Sequence, residues 1–128
     1  MNIVDSSGWL EYFADGPLAG KFSAPLKDTA SLIVPTICLY EVFKVMLRER
    51  NEDEAFQSIA LMSQGDVIEL SADIAIHAAK ISHSRKIPMA DSIILGTAMI
   101  HDATVWTKDN DFKGIPGVKY FAPKSKEV

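Results

Sequence analysis

The stretch IPMADSIILGTAMIHDATVWT, from Ile87 to Thr107, holds one helix and one strand in series. Pro88 suits the first turn of a helix, where its missing N–H would be unpaired in any case. The residues that follow, Met89 to His101, are unusually apolar for a helix. The apolar-rich run from Ile87 to Ile100 contains Asp91 and is too short to span a bilayer. Thr104-Val105-Trp106-Thr107 is then a short β-branched and aromatic run, which reads as a strand. A helix apolar almost all round, leading into a strand, belongs inside a layered α/β domain.

Working outward, the same alternation recurs. Asn2 to Val4 is a short apolar strand, and Ser6 or Ser7 is placed to cap a helix carrying Trp9, Leu10, Tyr12 and Phe13. Asp15-Gly16-Pro17 breaks it, and residues 17–29, with Gly20 and Pro25, form a connector or short helix. Ser31 to Val34 reads as a second strand, stopped at Pro35. Thr36 caps a helix to about Arg50, with Leu39, Val42, Phe43 and Met46 as its buried stripe and Glu41, Lys44 and Arg48 on the other side. Glu52 to Gln64 is a further helix ending at Gly65. Val67 to Leu70 is a third strand, and Ser71 with Asp73 opens a helix to roughly Arg85. Val118-Lys119-Tyr120-Phe121 is a candidate fifth strand, and the polar tail from Pro123 to Val128 is expected to fray. Alternating strands and helices indicate a central parallel sheet of four to five strands with helices on both faces. The whole chain, residues 1–128, reads as one α/β domain without repeats or linkers.

Composition agrees with a single globular domain. The chain has 128 residues, 48% of them hydrophobic, far too apolar for a disordered segment. Its 17 acids outnumber its 13 lysines and arginines, for a formal charge of −4. That balance argues against a polyanion binder working by bulk charge. The single cysteine, Cys38, excludes an internal disulfide framework and a multi-cysteine zinc site. The opening residues, Met1-Asn2-Ile3-Val4-Asp5, lack the basic and long apolar segments of a signal peptide. The expected compartment is the cytoplasm, with no membrane partner.

The informative residues are carboxylates at predictable places. Asp5 follows the first strand, and Asp109 follows the fourth, in Thr107-Lys108-Asp109-Asn110-Asp111-Phe112. Open α/β sheets bind ligands beyond the carboxyl ends of their strands, where strand order reverses. If strands one and four are neighbours there, Asp5 and Asp109 converge. Glu41, in the second turn of the helix after strand two, and Asp91, in the first turn of the helix feeding strand four, then face the same crevice. Gathered carboxylates raise one another's pKa unless a cation neutralises them. A hard divalent ion such as Mg²⁺ or Mn²⁺ suits an all-oxygen donor set, and four acids suffice for one or two ions. Each acid taken singly also has a structural reading: Asp5 as a helix cap or Asx turn, Glu41 as a solvated partner of Lys44, Asp91 as a helix-dipole residue, and Asp109 with Asp111 as a turn. Asp91 is the least ordinary of them, being flanked by Ala90, Ile93, Ile94 and Leu95.

Other signals fall away. Asp109 to Gly114 opens like a calcium loop, but Lys113 at the fifth position and Tyr120 at the twelfth defeat it. His77, His83 and His101 lack metal-ligand spacing, Cys38 reads as a packed thiol, and there is no Gly-rich phosphate loop. Lys44, Arg48, Lys80, Arg85, Lys86 and Lys108 form either a basic rim or a solvated face, with Lys108 the best rim candidate because it adjoins Asp109. Trp9, Tyr12 and Phe13 read as core in preference to an interface cluster.

Val4-Asp5-Ser6-Ser7-Gly8-Trp9, the Glu41 helix, Ile87-Pro88-Met89-Ala90-Asp91-Ser92-Ile93-Ile94 and Val105 to Phe112 together resemble PIN-domain ribonucleases, most of all the toxin components of VapBC-type toxin–antitoxin pairs. The resemblance covers essentially the whole chain. It implies a single PIN-like domain acting as a Mg²⁺- or Mn²⁺-dependent endoribonuclease. The implied catalytic and metal-binding quartet is Asp5, Glu41, Asp91 and Asp109. Ser6 and Thr107 stand where the family often has a hydroxyl supporting the acids, and Asp111 matches a frequent but less essential acid. Trp106 stands where an aliphatic residue is commoner. A cognate VapB-type antitoxin, an RNA substrate such as tRNA or rRNA, and a homodimer are implied as partners. Hydrolysis would leave a 5′-phosphate and a 3′-hydroxyl.

Two other readings compete with this one. A receiver-like signalling domain would also hold Mg²⁺ on acids, but it needs a phosphoacceptor Asp after the central strand. Here Val67 to Leu70 is followed by Ser71, and Asp66 precedes it. A PIN-like scaffold that binds RNA without cutting it is disfavoured by the presence of all four acids. Those four acids also account for the charge balance: without them 13 acids face 13 bases.

Overall fold

The computed structural model describes residues 1–123; the expectation of a fraying tail from Pro123 to Val128 lies outside them in all but its first residue. The chain runs β1 (Asn2–Val4), α1 (Ser6–Phe13), α2 (Ala19–Lys27), a 3-10 turn (Thr29–Ser31), β2 (Leu32–Pro35), α3 (Thr36–Glu49), α4 (Glu52–Met62), β3 (Asp66–Ile68), α5 (Ala72–Arg85), α6 (Met89–Ile100), β4 (Thr104–Thr107), a second 3-10 turn (Asn110–Phe112) and β5 (Val118–Tyr120). The five strands form one sheet in the order β3-β2-β1-β4-β5, and every neighbouring pair is parallel. Ile3, Val4, Ile33, Val34 and Val105 are each 2% exposed or less, as expected of strands covered on both faces.

Strand order reverses between β1 and β4. From β1 the chain steps outward to β2 and β3, then returns to place β4 on the other side of β1. Val4 pairs with Trp106, so the residues just beyond, Asp5 and Thr107, leave the sheet side by side. The Asp5 amide continues the ladder by donating to the Trp106 carbonyl (3.1 Å). The topology also overturns the receiver reading. A receiver's flavodoxin-like sheet runs 2-1-3-4-5, whereas here β1 lies between β2 and β4.

Two glycines mark where elements approach most closely. A Cβ on Gly8 would stand 2.5 Å from Val4 Cγ1 and 2.8 Å from Phe22 Cδ1, so α1 lies against β1 and α2 only because that side chain is missing. A Cβ on Gly96 would meet the Ala78 amide nitrogen at 3.1 Å and the Ile74 carbonyl oxygen at 3.2 Å, both α5 backbone. The apolar α6 is accordingly buried from Asp91 to Ala98. Its polar residues are satisfied within the helix: Ser92 Oγ donates to the Met89 carbonyl (2.7 Å) and Thr97 Oγ1 to the Ile93 carbonyl (2.8 Å). Among the described residues no helix is long and apolar enough to cross a membrane.

Several local expectations are corrected. Asp5, not Ser6 or Ser7, caps α1, its carboxylate accepting from the Gly8 amide at 3.1 Å. Pro35 occupies the cap position of α3, and Thr36 is its first residue. In α3 the fully buried residues are Cys38 and Val42, while Leu39, Phe43 and Met46 are half-buried. That stripe is rotated because α4 packs on the Leu39–Phe43 side without closing it, as the Phe43–Phe56 edge contact at 5.0 Å shows. Residues 19–27 are helical despite Pro25, whose ring is buried with Phe22 and Leu26. Trp9 is core at 2% exposure, with Tyr12 and Phe13 packed partly buried against it.

Candidate active site

Asp5 stands at the switch point and is 2% exposed. Its Oδ1 accepts from Ser7 Oγ (2.7 Å) and the Gly8 amide (3.1 Å), and its Oδ2 accepts from Thr107 Oγ1 (2.8 Å). Thr107, at the end of β4, is fully buried and also accepts from the Asp109 amide at 2.9 Å. One hydroxyl thus ties the first acid to the backbone of the fourth. Burial pushes the Asp5 carboxyl up to about 6; the Ser7, Thr107 and Gly8 hydrogen bonds oppose this, and the Asp109 charge adds to it.

Asp91, Asp109 and Asp111 form the tightest group. Each offers a carboxylate oxygen, and the three atoms lie within 4.8 Å of one another. Asp91 comes from the buried first turn of α6. Asp109 caps the 3-10 turn and accepts from the Asp111 amide (2.9 Å), a short-range bond that brings the i and i+2 carboxylates together. Burial first, and then the Asp109 charge, a hydrogen bond with Asp111 and the charges of Asp111 and Asp5, push the Asp91 carboxyl up to about 8. Glu41, half-buried on α3, is held by Ser6 Oγ at 2.6 Å from Oε1, rather than by Lys44, whose ammonium lies over the Tyr40 ring.

Cys38 lies beneath these acids and is fully buried. Burial raises its thiol well above the ordinary range; the charges of Asp5, Glu41 and Asp91 push the same way and a Ser6 hydrogen bond opposes them. It is a packed, protonated thiol.

The structure therefore brings Asp5, Asp91 and Asp109 close enough for their charges to act on one another, with Glu41 joined to the group through Ser6, the residue after Asp5. Asp5 and Glu41 stand outside the closest group, and Asp111 stands inside it. Lys108 does not turn toward the acids: its Nζ pairs with Glu11 Oε1 at 2.9 Å. Glu11 is a site-flanking residue that sequence reasoning missed, since a glutamate within an amphipathic helix carries no local signal of a partner 97 residues away. Burial pushes its carboxyl up, but the Leu18 amide and Lys108 outweigh that and hold it below the usual range. Trp106 faces away from the ligand set, donating to Asn2 Oδ1 (2.9 Å) and stacking on Phe121.

The donor set fits a hard divalent cation. It is all carboxylate oxygen, the charges of Asp109, Asp111 and Asp5 push the Asp91 carboxyl up, and among the described residues none of these acids forms an ion pair with a basic side chain.

The sequence model of the PIN domain family matches residues 3–118. The chain belongs to the PIN domain family. Its structure is similar to that of a chain in a toxin–antitoxin complex from Klebsiella pneumoniae, with TM-score 0.77 and 28% identity over 93% of this chain and 96% of that one. It also resembles in fold a VapBC complex from Rickettsia felis bound to a promoter DNA fragment (TM-score 0.73, 16% identity, 93% and 97% covered). A third similar structure is a Mycobacterium tuberculosis VapC toxin described as cleaving the sarcin–ricin loop (TM-score 0.74, 16% identity, 91% and 95% covered). No curated protein matches the chain at a significant level.

Proposed function

We propose that this PIN domain is the toxin of a VapBC-type pair, an endoribonuclease that hydrolyses RNA with a divalent metal held by its acidic cluster. The observation that carries this reading is the convergence of Asp91, Asp109 and Asp111 within 4.8 Å beside a buried, hydrogen-bonded Asp5, without a basic partner among the described residues. Asp5, Asp91, Asp109 and Asp111 would hold Mg²⁺ or Mn²⁺, with Glu41 beside them. When bound, such an ion supplies charge neutralisation at the phosphoryl oxygens and a more acidic water.

The chain's own residues do the rest. Ser7, Gly8 and Thr107 fix both oxygens of Asp5, so its carboxylate needs no reorientation when substrate arrives. Thr107 sets the Asp109 backbone through the same hydroxyl. Ser6 engages Glu41 Oε1 and leaves Oε2 to accept a proton from the attacking water. In-line attack of that water on phosphorus breaks the P–O3′ bond, and a solvent water supplies the proton to the departing 3′ oxygen while Glu41 later returns its own proton to solvent. The products are a 5′-phosphate and a 3′-hydroxyl.

A small antitoxin of the VapB type and a second copy of the chain are the proposed partners. Support comes from solved structures of similar fold that are toxin–antitoxin complexes. The test uses purified protein freed of any co-purifying partner, incubated with structured RNA and Mg²⁺ or Mn²⁺. Cleavage by wild type and its loss in Asp5→Asn and Asp91→Asn, with folding retained, are expected. Equal cutting by all three would identify a contaminating nuclease. RNA binding without cutting by metal-loaded wild type would favour the non-catalytic scaffold.

A further inference from the structure

The Glu11 carboxylate has both oxygens engaged before any ligand is considered. Its Oε2 accepts from the Leu18 amide at 2.7 Å and its Oε1 from Lys108 Nζ at 2.9 Å. The residue is 9% exposed, and the chain between α1 and α2 is built around it. Asp15 adopts a left-handed φ of 49° to turn the chain back, and a Cβ on Gly16 would stand 2.5 Å from the Glu11 carboxyl carbon. This is a fixed receptor for a cation, unlike a surface ion pair in which two long side chains must both be ordered.

Lys108 has an alternative. It lies between Thr107 and Asp109, and its amide donates to Ser7 Oγ (3.3 Å), the same hydroxyl that donates to Asp5. One residue on is the Asp91–Asp109–Asp111 cluster, three carboxylates without a basic partner among the described residues. A lysine ammonium is a compact charge on a flexible stem, and by charge alone that cluster is its stronger attractor. An ammonium resting there would have to be displaced by any incoming cation.

We propose that Glu11 is a positioning residue that holds the Lys108 ammonium out of the acidic cluster, keeping the cluster's charge available to a divalent cation. This inference rests on the metal-dependent reading above. It makes Lys108 a side chain that must be kept occupied elsewhere, and it explains why the α1–α2 turn closes so tightly on a single carboxylate.

The experiment is a direct titration of Mn²⁺ into the full chain, followed by electron paramagnetic resonance of the free ion, with no RNA present. Glu11→Gln keeps an acceptor for the Leu18 amide and removes the charge; it is expected to weaken Mn²⁺ binding by up to about fivefold, the scale of one competing ion pair. Adding Lys108→Met to that variant removes the competitor and should restore affinity to within about twofold of wild type. A purely structural clamp would give the opposite result, because the double variant has lost both halves of it. Unchanged affinity in Glu11→Gln, or a double variant as weak as the single, overturns the proposal. If Glu11→Gln does not fold, Lys108→Met alone decides: it should bind Mn²⁺ as wild type does, and a fivefold change in either direction overturns the proposal. Wild type that binds no Mn²⁺ would instead sink the metal-dependent reading, and this inference with it.

Discussion

Thr107→Val removes one oxygen and keeps the side-chain shape, so its effect reports almost entirely on hydrogen bonding. The fully buried Thr107 hydroxyl donates to Asp5 Oδ2 (2.8 Å) and accepts from the Asp109 amide (2.9 Å). Losing a hydrogen bond to a charged group costs about 1.5–3 kcal/mol, and leaving the part-buried amide without its partner costs about 1 kcal/mol more. The expected loss is therefore about 2.5–4 kcal/mol. Urea unfolding of the metal-free protein at neutral pH measures it. With a slope of about 2 kcal/mol/M for a protein of this size, the midpoint falls by about 1–2 M. Thr107→Ser keeps the hydroxyl and should recover most of the loss. A Thr107→Val midpoint within about 0.3 M of wild type at equal slope would show that the hydroxyl does not tie the two acids together. Equal destabilisation by serine and valine would put the effect in the methyl group.

Gly8→Ala places a Cβ 2.5 Å from Val4 Cγ1 and against the Phe22 ring, so it should destabilise by about 1–3 kcal/mol, read as a lower thermal midpoint. In metal-free buffer the stability of wild type should fall as pH rises from about 4 toward 8. The folded state holds protons on Asp5 (about 6) and Asp91 (about 8) that the unfolded chain releases near its ordinary carboxyl pKa, so the folded state binds more protons across that window. Asp91→Asn should flatten that fall, and denaturation curves at pH 5 and 8 with and without the substitution measure it. An equally steep fall in the variant would show that Asp91 is not the strained acid.

The fold was legible because its signals are periodic and local. The apolar run of Ile87 to Ile100 and the short strand at Thr104–Thr107 need only their own residues to be read, and parallel pairing follows from alternation. The acids that follow strands were legible for the same reason: Asp5 and Asp109 are fixed by where β1 and β4 end. What could not be read was rotation about a helix axis and long-range pairing. The α3 stripe was set by contacts from α4 that no spacing within residues 36–49 encodes, so Cys38 and not Phe43 faces the core. Asp111 joined the closest carboxylate group because a 3-10 turn, one bond long, brings it back onto Asp109. Glu11 was invisible because its two partners, Leu18 and Lys108, are named only once the turn at Asp15-Gly16 is built.

The most direct test of the acidic cluster as the working site is the dependence of RNA cleavage on Mn²⁺ concentration for wild type and Asp109→Asn, prepared identically and freed of partner. For wild type, cleavage should be absent in EDTA and rise to saturation with Mn²⁺. For Asp109→Asn it should stay at the EDTA level throughout while the variant unfolds cooperatively like wild type. Undiminished cleavage in EDTA, or a Mn²⁺ response that Asp109→Asn leaves intact, would contradict the assignment of metal and chemistry to these carboxylates.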